Sequence, residues 1–307
     1  MEISEVLLSK NGYVAITLAK EFLKCNVGEK VPTVSQLCEK YQLARGTVQN
    51  ALKSLQQYDA IRLDAKGHKG SYLVKKNIPI LLKFAGINSI VGVMPLPYSK
   101  RYEGLASGLL VTLENRYSIP ASMAFMRGAK NRIGMLLSNR YDFAIISKIA
   151  AKQIIDEYDN IIIALSFGPY SYLSEHVIIF SSDKYNQIEE GMRVGMDNDS
   201  IDQKLLTEKV CKGIDVEYVN YGYSQILQRV VQGDIDAAVW NKDEIDVKLC
   251  EVKYYPIKEI GSSANEAVLV VSKDKPELAA LLRELIDIKT VTNIQQLVLK
   301  GRITPSY

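Results

Sequence analysis

From residue 90 onward the chain alternates short apolar runs with amphipathic stretches. That alternation limits the possible folds more than any single motif does. Strands are expected at Ile90–Met94, Met123–Met126, Phe143–Ser147 and Ile161–Phe167, with helices near 101–115, 129–139 and 149–158 between them. Leu105, Leu109 and Leu113 stack along the first of these helices, and Ile133, Leu136 and Leu137 along the second. Strands joined through helices pair in parallel, because the crossover helix covers the sheet. The series then restarts. His176–Ser181 reads as a strand followed by a polar stretch. Arg193–Met196, Val216–Asn220 and Ile235–Trp240 alternate with helices near 199–212 and 224–232. Ala267–Ser272 is a further strand, ahead of helices near 276–287 and 290–299 that have no lobe of their own. Two α/β lobes follow: lobe 1 from about 89–180 and 266–307, and lobe 2 from about 190–258. The chain crosses out near 176–190 and back near 258–268, and the terminal helices return to lobe 1.

Residues 1–76 follow another pattern. Val14, Leu18 and Phe22 mark a helix near 10–25, and Gly28 lies in the turn after it. Pro32-Thr33 opens a second helix, with Thr33 as N-cap and Val34, Leu37, Cys38 and Tyr41 on one face. A third helix spans Arg45–Gln57. Its apolar face is Val48, Ala51, Leu52 and Leu55, and its opposite face carries Gly46, Gln49, Asn50 and Lys53, with Arg45 at the start. Two short strands, Ile61–Leu63 and Ser71–Val74, flank the basic turn Lys66-Gly67-His68-Lys69-Gly70. Three helices and a basic hairpin are the parts of a winged helix-turn-helix, whose third helix fits the major groove of DNA. The bland alternative is a small three-helix domain with a solvated basic face. Residues 77–88 read as a linker, in which Asn77 caps a short helix, Pro79 suits its first turn and Gly86 ends it.

Charge separates the two segments. Residues 1–76 hold 12 Lys and Arg against 7 Asp and Glu, and the remainder holds 26 against 28. A basic head on a near-neutral body fits one segment meeting an anionic partner. Cys25, Cys38, Cys211 and Cys250 include no CxxC pair, and they read as reduced thiols. With His68 and His176 the only histidines, a multi-histidine metal site has too few ligands, and no cofactor is expected. The N-terminus has acids where a signal peptide needs base, and no apolar stretch reaches the ~18 residues of a membrane span, so a cytoplasmic protein is expected.

In the first segment, Pro32-Thr33-Val34-Ser35-Gln36-Leu37, Ala44-Arg45-Gly46-Thr47-Val48-Gln49-Asn50-Ala51-Leu52, Asp59-Ala60-Ile61 and Lys69-Gly70-Ser71-Tyr72-Leu73-Val74 resemble GntR-type winged helices. The resemblance implies that Arg45, Thr47 and Gln49 contact DNA, and that the Gly67–Gly70 wing enters a minor groove. The chain departs from that pattern at Ala44, where the type has a capping Ser, at Gln49, where it has Arg, and at Gln36, where Arg is common. The DNA-contacting set expected is therefore Thr33, Arg45, Gly46, Thr47, Gln49, Asn50, Lys53, Gly67, His68, Lys69 and Gly70.

Ligands of open α/β sheets bind beyond the carboxyl ends of the strands. That rule selects Pro95 and Tyr98, Arg127, Ser147 and Lys148, Asp197, Asn198 and Ser200, Tyr223, Trp240 and Asn241. Tyr102 and Glu103 open the helix after the first strand, and Glu266 sits at the return crossover. Aromatic rings beside two cations and several acids suit a small anionic or zwitterionic metabolite. Each residue also has a structural reading, Trp240 as core and Arg127 as an ion pair. The lobes are arranged like those of type II solute-binding proteins of the periplasm.

Met94-Pro95-Leu96-Pro97-Tyr98, Tyr102 to Leu109, Met126-Arg127-Gly128-Ala129, Asp197 to Lys204, Gly233 to Asn241 and Pro305-Ser306-Tyr307 resemble the YhfZ family. Those are GntR-like bacterial transcription regulators with a solute-binding-protein-like C-terminal domain. The resemblance covers nearly the whole chain and supplies neither a ligand nor catalytic residues. No GxSxG, HExxH, Walker A or strand-borne GxGxxG is present. Glu175-His176 face opposite ways on a strand, and Asp197 to Asp202 reads as helix capping. The expected function is therefore a ligand-responsive DNA-binding regulator, not an enzyme. It acts as a homodimer on an inverted-repeat operator and has no membrane partner. The alternatives are a small-molecule-binding adaptor without DNA function and an enzyme on a solute-binding fold.

Overall fold

The computed structural model describes residues 9–117, 119–248, 252–257 and 262–307. Cys250, the acidic residues before position 9 and the 258–261 part of the expected return crossover lie outside the described residues. The chain forms two compact bodies. One gathers the residues up to 90 with 113–120 and 275–285, and the other holds 91–112, 121–274 and 286–307.

The first body contains α1 (Lys10–Lys24), α2 (Val34–Tyr41) and α3 (Arg45–Gln57), the hairpin β1 (Ile61–Ala65) and β2 (Ser71–Lys76), and α4 (Ile78–Ala85). Thr33 and Gln36 form a reciprocal capping box at the start of α2. Ala44 gives α3 no side-chain cap. Leu18, Phe22, Leu37, Val48, Leu55, Ile61 and Leu73 fill the core between helices and hairpin. Asn77 caps α4, and Gly86 ends it at φ 72°, where an L side chain is strained. The short helix expected within residues 77–88 is thus present, and it packs on α1.

The terminal helices divide. Helix α11 (Pro276–Leu285) belongs to the first body and packs on α1, with Lys20 Nζ 3.6 Å from Glu277 and Lys76 Nζ 2.7 Å from Glu284. This corrects the expectation that both terminal helices return to lobe 1. Leu278, Leu281, Leu282 and Leu285 make one face of α11 apolar, and an apolar stripe alone does not say which body it serves.

Glu21, on α1, is a buried charge of this body. It accepts hydrogen bonds from Lys24, Tyr41 and Lys40, the last at 2.9 Å. Burial alone raises the carboxyl pKa, but these donors outweigh it and hold the group down at about 2. A depressed carboxylate contributes stability that is present above its unfolded pKa and is lost as pH falls toward its folded one. Glu21→Gln is therefore expected to cost on the order of 2–3 kcal/mol at pH 7. It should also flatten the loss of stability between about pH 4.5 and 2. Urea unfolding across that range, compared with the wild type, checks both.

The second body has two sheets. In chain order its elements are β3 (Ile90–Met94), α5 (Lys100–Tyr117, of which the part up to 112 belongs here), β4 (Ala121–Phe125), α6 (Ala129–Leu137), β5 (Phe143–Ser147), α7 (Lys148–Glu157), β6 (Ile161–Ser166), β7 (His176–Phe180), β8 (Arg193–Met196), α8 (Ile201–Val210), β9 (Glu217–Asn220), α9 (Tyr223–Val231), β10 (Ala237–Asn241), α10 (Lys242–Lys248), β11 (Lys253–Pro256), β12 (Ala267–Ser272) and α12 (Ile288–Leu299). One sheet is ordered β4-β3-β5-β12-β6 and the other β11-β7-β10-β8-β9. Pairing is parallel for β3–β5, β10–β8 and β8–β9. It is antiparallel wherever β12 or β7 takes part. Those are the strands by which the chain enters one lobe from the other. Without a covering crossover helix, a strand is free to run against its neighbours. Helix α12 lies against α5 at two glycines. A Cβ on Gly104 would come within 2.9 Å of Gln295 Cα, and one on Gly108 within 2.8 Å of the Val291 carbonyl oxygen.

Candidate DNA-contacting face and ligand cavity

On the first body the residues expected to meet DNA stand outward. Thr33, Arg45, Gly46, Gln49, Asn50, Lys53, Gly67, His68 and Lys69 are exposed, and Thr47 and Gly70 are partly so. Val48, Ala51 and Leu55 are buried on the other side of α3, and this anchors the helix with its polar face outward. Arg45 touches Ser35 Oγ at 3.3 Å and is otherwise available to a partner. The wing tip, Gly67–Lys69, is one tight helical turn closed by Lys66 N–H donating to the Gly70 carbonyl at 2.9 Å. Gly67 and Gly70 there take φ of 57° and 91°.

The second body encloses a cavity of about 340 Å³ where the strand ends of its two sheets converge. That volume is within the range of small-molecule sites. Pro95, Tyr98, Tyr102 and Arg127 line it from the first lobe, and Asp197, Ser200, Tyr223, Trp240 and Asn241 from the second. Tyr223 and Trp240 stack with centroids 4.1 Å apart and 10° between planes, so Trp240 is both core and wall. Arg127 Nη2 reaches Asp197 at 3.5 Å and ties the end of β4 to the end of β8. Asp197 also accepts from the backbone N–H of Asp199 at 2.9 Å and of Tyr223 at 2.8 Å. It is a cap and an ion-pair partner before it is a ligand contact.

Five expected residues do not line the cavity. Glu103 accepts from the Tyr307 hydroxyl at 3.2 Å. Lys148 is held by Glu266 at 3.0 Å, and Glu266 also accepts from Ser166. No loop separates β5 from α7, so Lys148 is already helical and its side chain turns back to β12. Ser147 is fully buried. It caps α7 through the Ala150 N–H and donates to Asp202 at 2.6 Å. Asn198 is exposed and its N–H meets Asn220 at 3.3 Å.

The structure adds Arg132, Tyr172, His176, Asp202 and Glu244 to the lining. Arg132 is 3% exposed and donates to the Met126 carbonyl at 2.7 Å. Its sequence signal was an arginine in the apolar stripe Ala129, Ile133, Leu136. Burial pushes the His176 pKa down to about 4, over the opposing charge of Asp243, so the imidazole is neutral. Burial raises Asp202 to about 6, over the lowering by the Ser147 hydroxyl and by Arg132. Three helix N-termini, at Gly128, Ser200 and Gly222, open on the cavity with no cap from the N-cap residue itself, and the one at Gly222 is already engaged by Asp197 through the Tyr223 N–H. Such ends attract anionic groups. Among the described residues no group of three or more His, Cys, Asp and Glu is placed to hold a metal ion, and no helix is long and apolar enough to cross a membrane.

Comparison with known proteins agrees with this architecture. The family model of a helix-turn-helix domain matches residues 26–73, and that of the YhfZ C-terminal domain matches residues 78–307. YhfZ of Escherichia coli K12 is 37% identical over 303 residues, 98% of either chain. The crystal structure of YhfZ from Shigella flexneri, 37% identical, superposes with a TM-score of 0.63 over 74% of this chain and 97% of that one. The periplasmic aliphatic sulphonate binding protein SsuA of Escherichia coli gives 0.54 at 13% identity, covering 70% of this chain and 74% of its own. An ancestral arginine-binding protein gives 0.52 at 15% identity, covering 71% and 99%. The last two matches establish the fold alone. The chain thus belongs to the YhfZ family, with a helix-turn-helix domain followed by a YhfZ C-terminal domain built on the two-lobed fold of periplasmic solute-binding proteins.

Proposed function

We propose that this protein is a cytoplasmic, ligand-responsive transcription regulator. In this reading the first body, a GntR-like winged helix within residues 1–76 extended by α4 and α11, reads operator DNA. The second binds a small polar metabolite. The observation that carries it is the presence, in one chain, of a recognition helix with Arg45, Gln49, Asn50 and Lys53 outward and a solute-binding fold with a ligand-sized cavity. One recognition helix reads only a few base pairs, so the protein acts as a homodimer on an inverted repeat. In this reading the ligand is bound and released, and no turnover of it is expected. SsuA and the arginine-binding protein are named for a sulphonate and for arginine, ligands with charged groups. Their fold in this chain is consistent with an anionic or zwitterionic effector.

Binding of duplex DNA that weakens steeply with salt, and that shifts when a metabolite is added, tests the proposal. Arg127→Ala is expected to weaken metabolite binding at least tenfold, because its planar fork offers a paired contact to an acid group. DNA binding without metabolite should change little. Calorimetry on both proteins checks the first outcome and anisotropy titration the second. An Arg127→Ala protein with unchanged metabolite affinity removes Arg127 from the site.

A further inference from the structure

The charged groups of the cavity do not all satisfy one another. Asp197 is engaged by Arg127 and by two backbone N–H groups. Arg132 donates to the Met126 carbonyl and, at 3.4 Å, to the Tyr172 hydroxyl. Asp202, in the first turn of α8, is different. It is half-buried, with part of its surface on the cavity, and its hydrogen-bond donor is the neutral hydroxyl of Ser147. Among the described residues no cation stands within ion-pair distance of it, Arg132 acting only through its field. The other titratable groups that face it are Tyr102, from α5, and Tyr172, ahead of β7, whose rings meet edge to face at 5.2 Å.

We propose that Asp202 receives a positively charged nitrogen of the ligand, so that the effector is an amine or an amino-bearing zwitterion and not a simple acid. A half-buried carboxylate facing a cavity without a cation beside it is costly, and a bound ammonium supplies the missing charge. The raised pKa of the carboxyl group agrees with a site that lacks its counter-charge. Arg127 and the uncapped N-terminus of α6 at Gly128 remain for an acid group on the same ligand. This inference rests on the metabolite-sensor reading and narrows its ligand class.

Calorimetry on the full chain tests it with matched probes: the common amino acids, their deaminated acids and their decarboxylated amines, such as alanine, propionate and ethylamine, or glutamate, glutarate and 4-aminobutyrate. The expected result is that every ligand found carries an amino group. It should bind at least tenfold more tightly than its deaminated counterpart, and Asp202→Asn should cost it at least tenfold. Thermal unfolding of the unliganded variant controls for loss of fold, and the comparison among probes on the wild type stands without it. If deaminated acids bind as well as the amino acids, or if a folded Asp202→Asn protein keeps full affinity, the role of Asp202 is overturned while the sensor reading survives. If no probe of any class binds, both fall.

Discussion

Replacing Arg45 with Ala is expected to lower affinity for the operator roughly 10- to 100-fold, the 1–3 kcal/mol of a guanidinium that reads a base edge. The side chain is exposed at the start of α3, and its contact is one 3.3 Å hydrogen bond to Ser35. Its loss therefore leaves the buried face, Val48, Ala51 and Leu55, undisturbed. Lys69, exposed in the wing, is expected to act through phosphate. Lys69→Ala should weaken all sequences about equally and reduce the salt dependence by about one unit of slope. Anisotropy titrations at several salt concentrations, beside unfolding curves, separate the two effects. Wild-type affinity in both variants would remove α3 and the wing from the DNA interface.

The largest stability loss is expected at Gly108. A valine there places its Cβ 2.8 Å from the Val291 carbonyl oxygen and 2.9 Å from Val291 Cα. Both are backbone atoms in the first turn of α12, so the start of the helix must shift. Overpacking of this kind costs about 3 kcal/mol or more. Gln295, on the same helix, donates to the carbonyls of Arg101 at 2.9 Å and Ser171 at 2.8 Å. Ser171 precedes Tyr172 of the cavity wall, so metabolite affinity should fall with stability. Denaturant unfolding of Gly108→Val measures the first effect. A loss under about 1 kcal/mol would mean that α12 packs elsewhere.

Local chemistry made much of this fold readable in advance. Thr33 with Gln36 begins α2, and Asn77, Pro79 and Gly86 bound α4, because caps and left-handed stops depend on near neighbours. Most strands of both lobes stand out for the same reason, as apolar runs between polar turns. Helix α10 and β11 carry no such signal. Lys242–Lys248 is mostly charged, and Lys253–Pro256 alternates partly buried with exposed residues at the edge of a sheet. The direction of β12 and the partner of α11 depend on where the chain has come from, and no local pattern carries that. The cavity was found by strand ends, which located Tyr98, Arg127, Asp197, Tyr223 and Trp240. Lys148 and Glu266 satisfied the same rule yet bind each other. Asp202 and Arg132 lie inside helices, beyond the strand ends, and only the packing of α6 and α8 brings them to the cavity.

The central claim is that a metabolite in the second body governs DNA binding by the first. Selection of bound fragments from the protein's own genome, with and without an amino-bearing metabolite found by calorimetry, tests it most directly. An inverted repeat with half-sites about one helical turn apart is expected to be enriched, with occupancy that changes when the metabolite is present. Fragments no more selective than random DNA, or an enriched repeat whose occupancy ignores a metabolite that demonstrably binds, would contradict it.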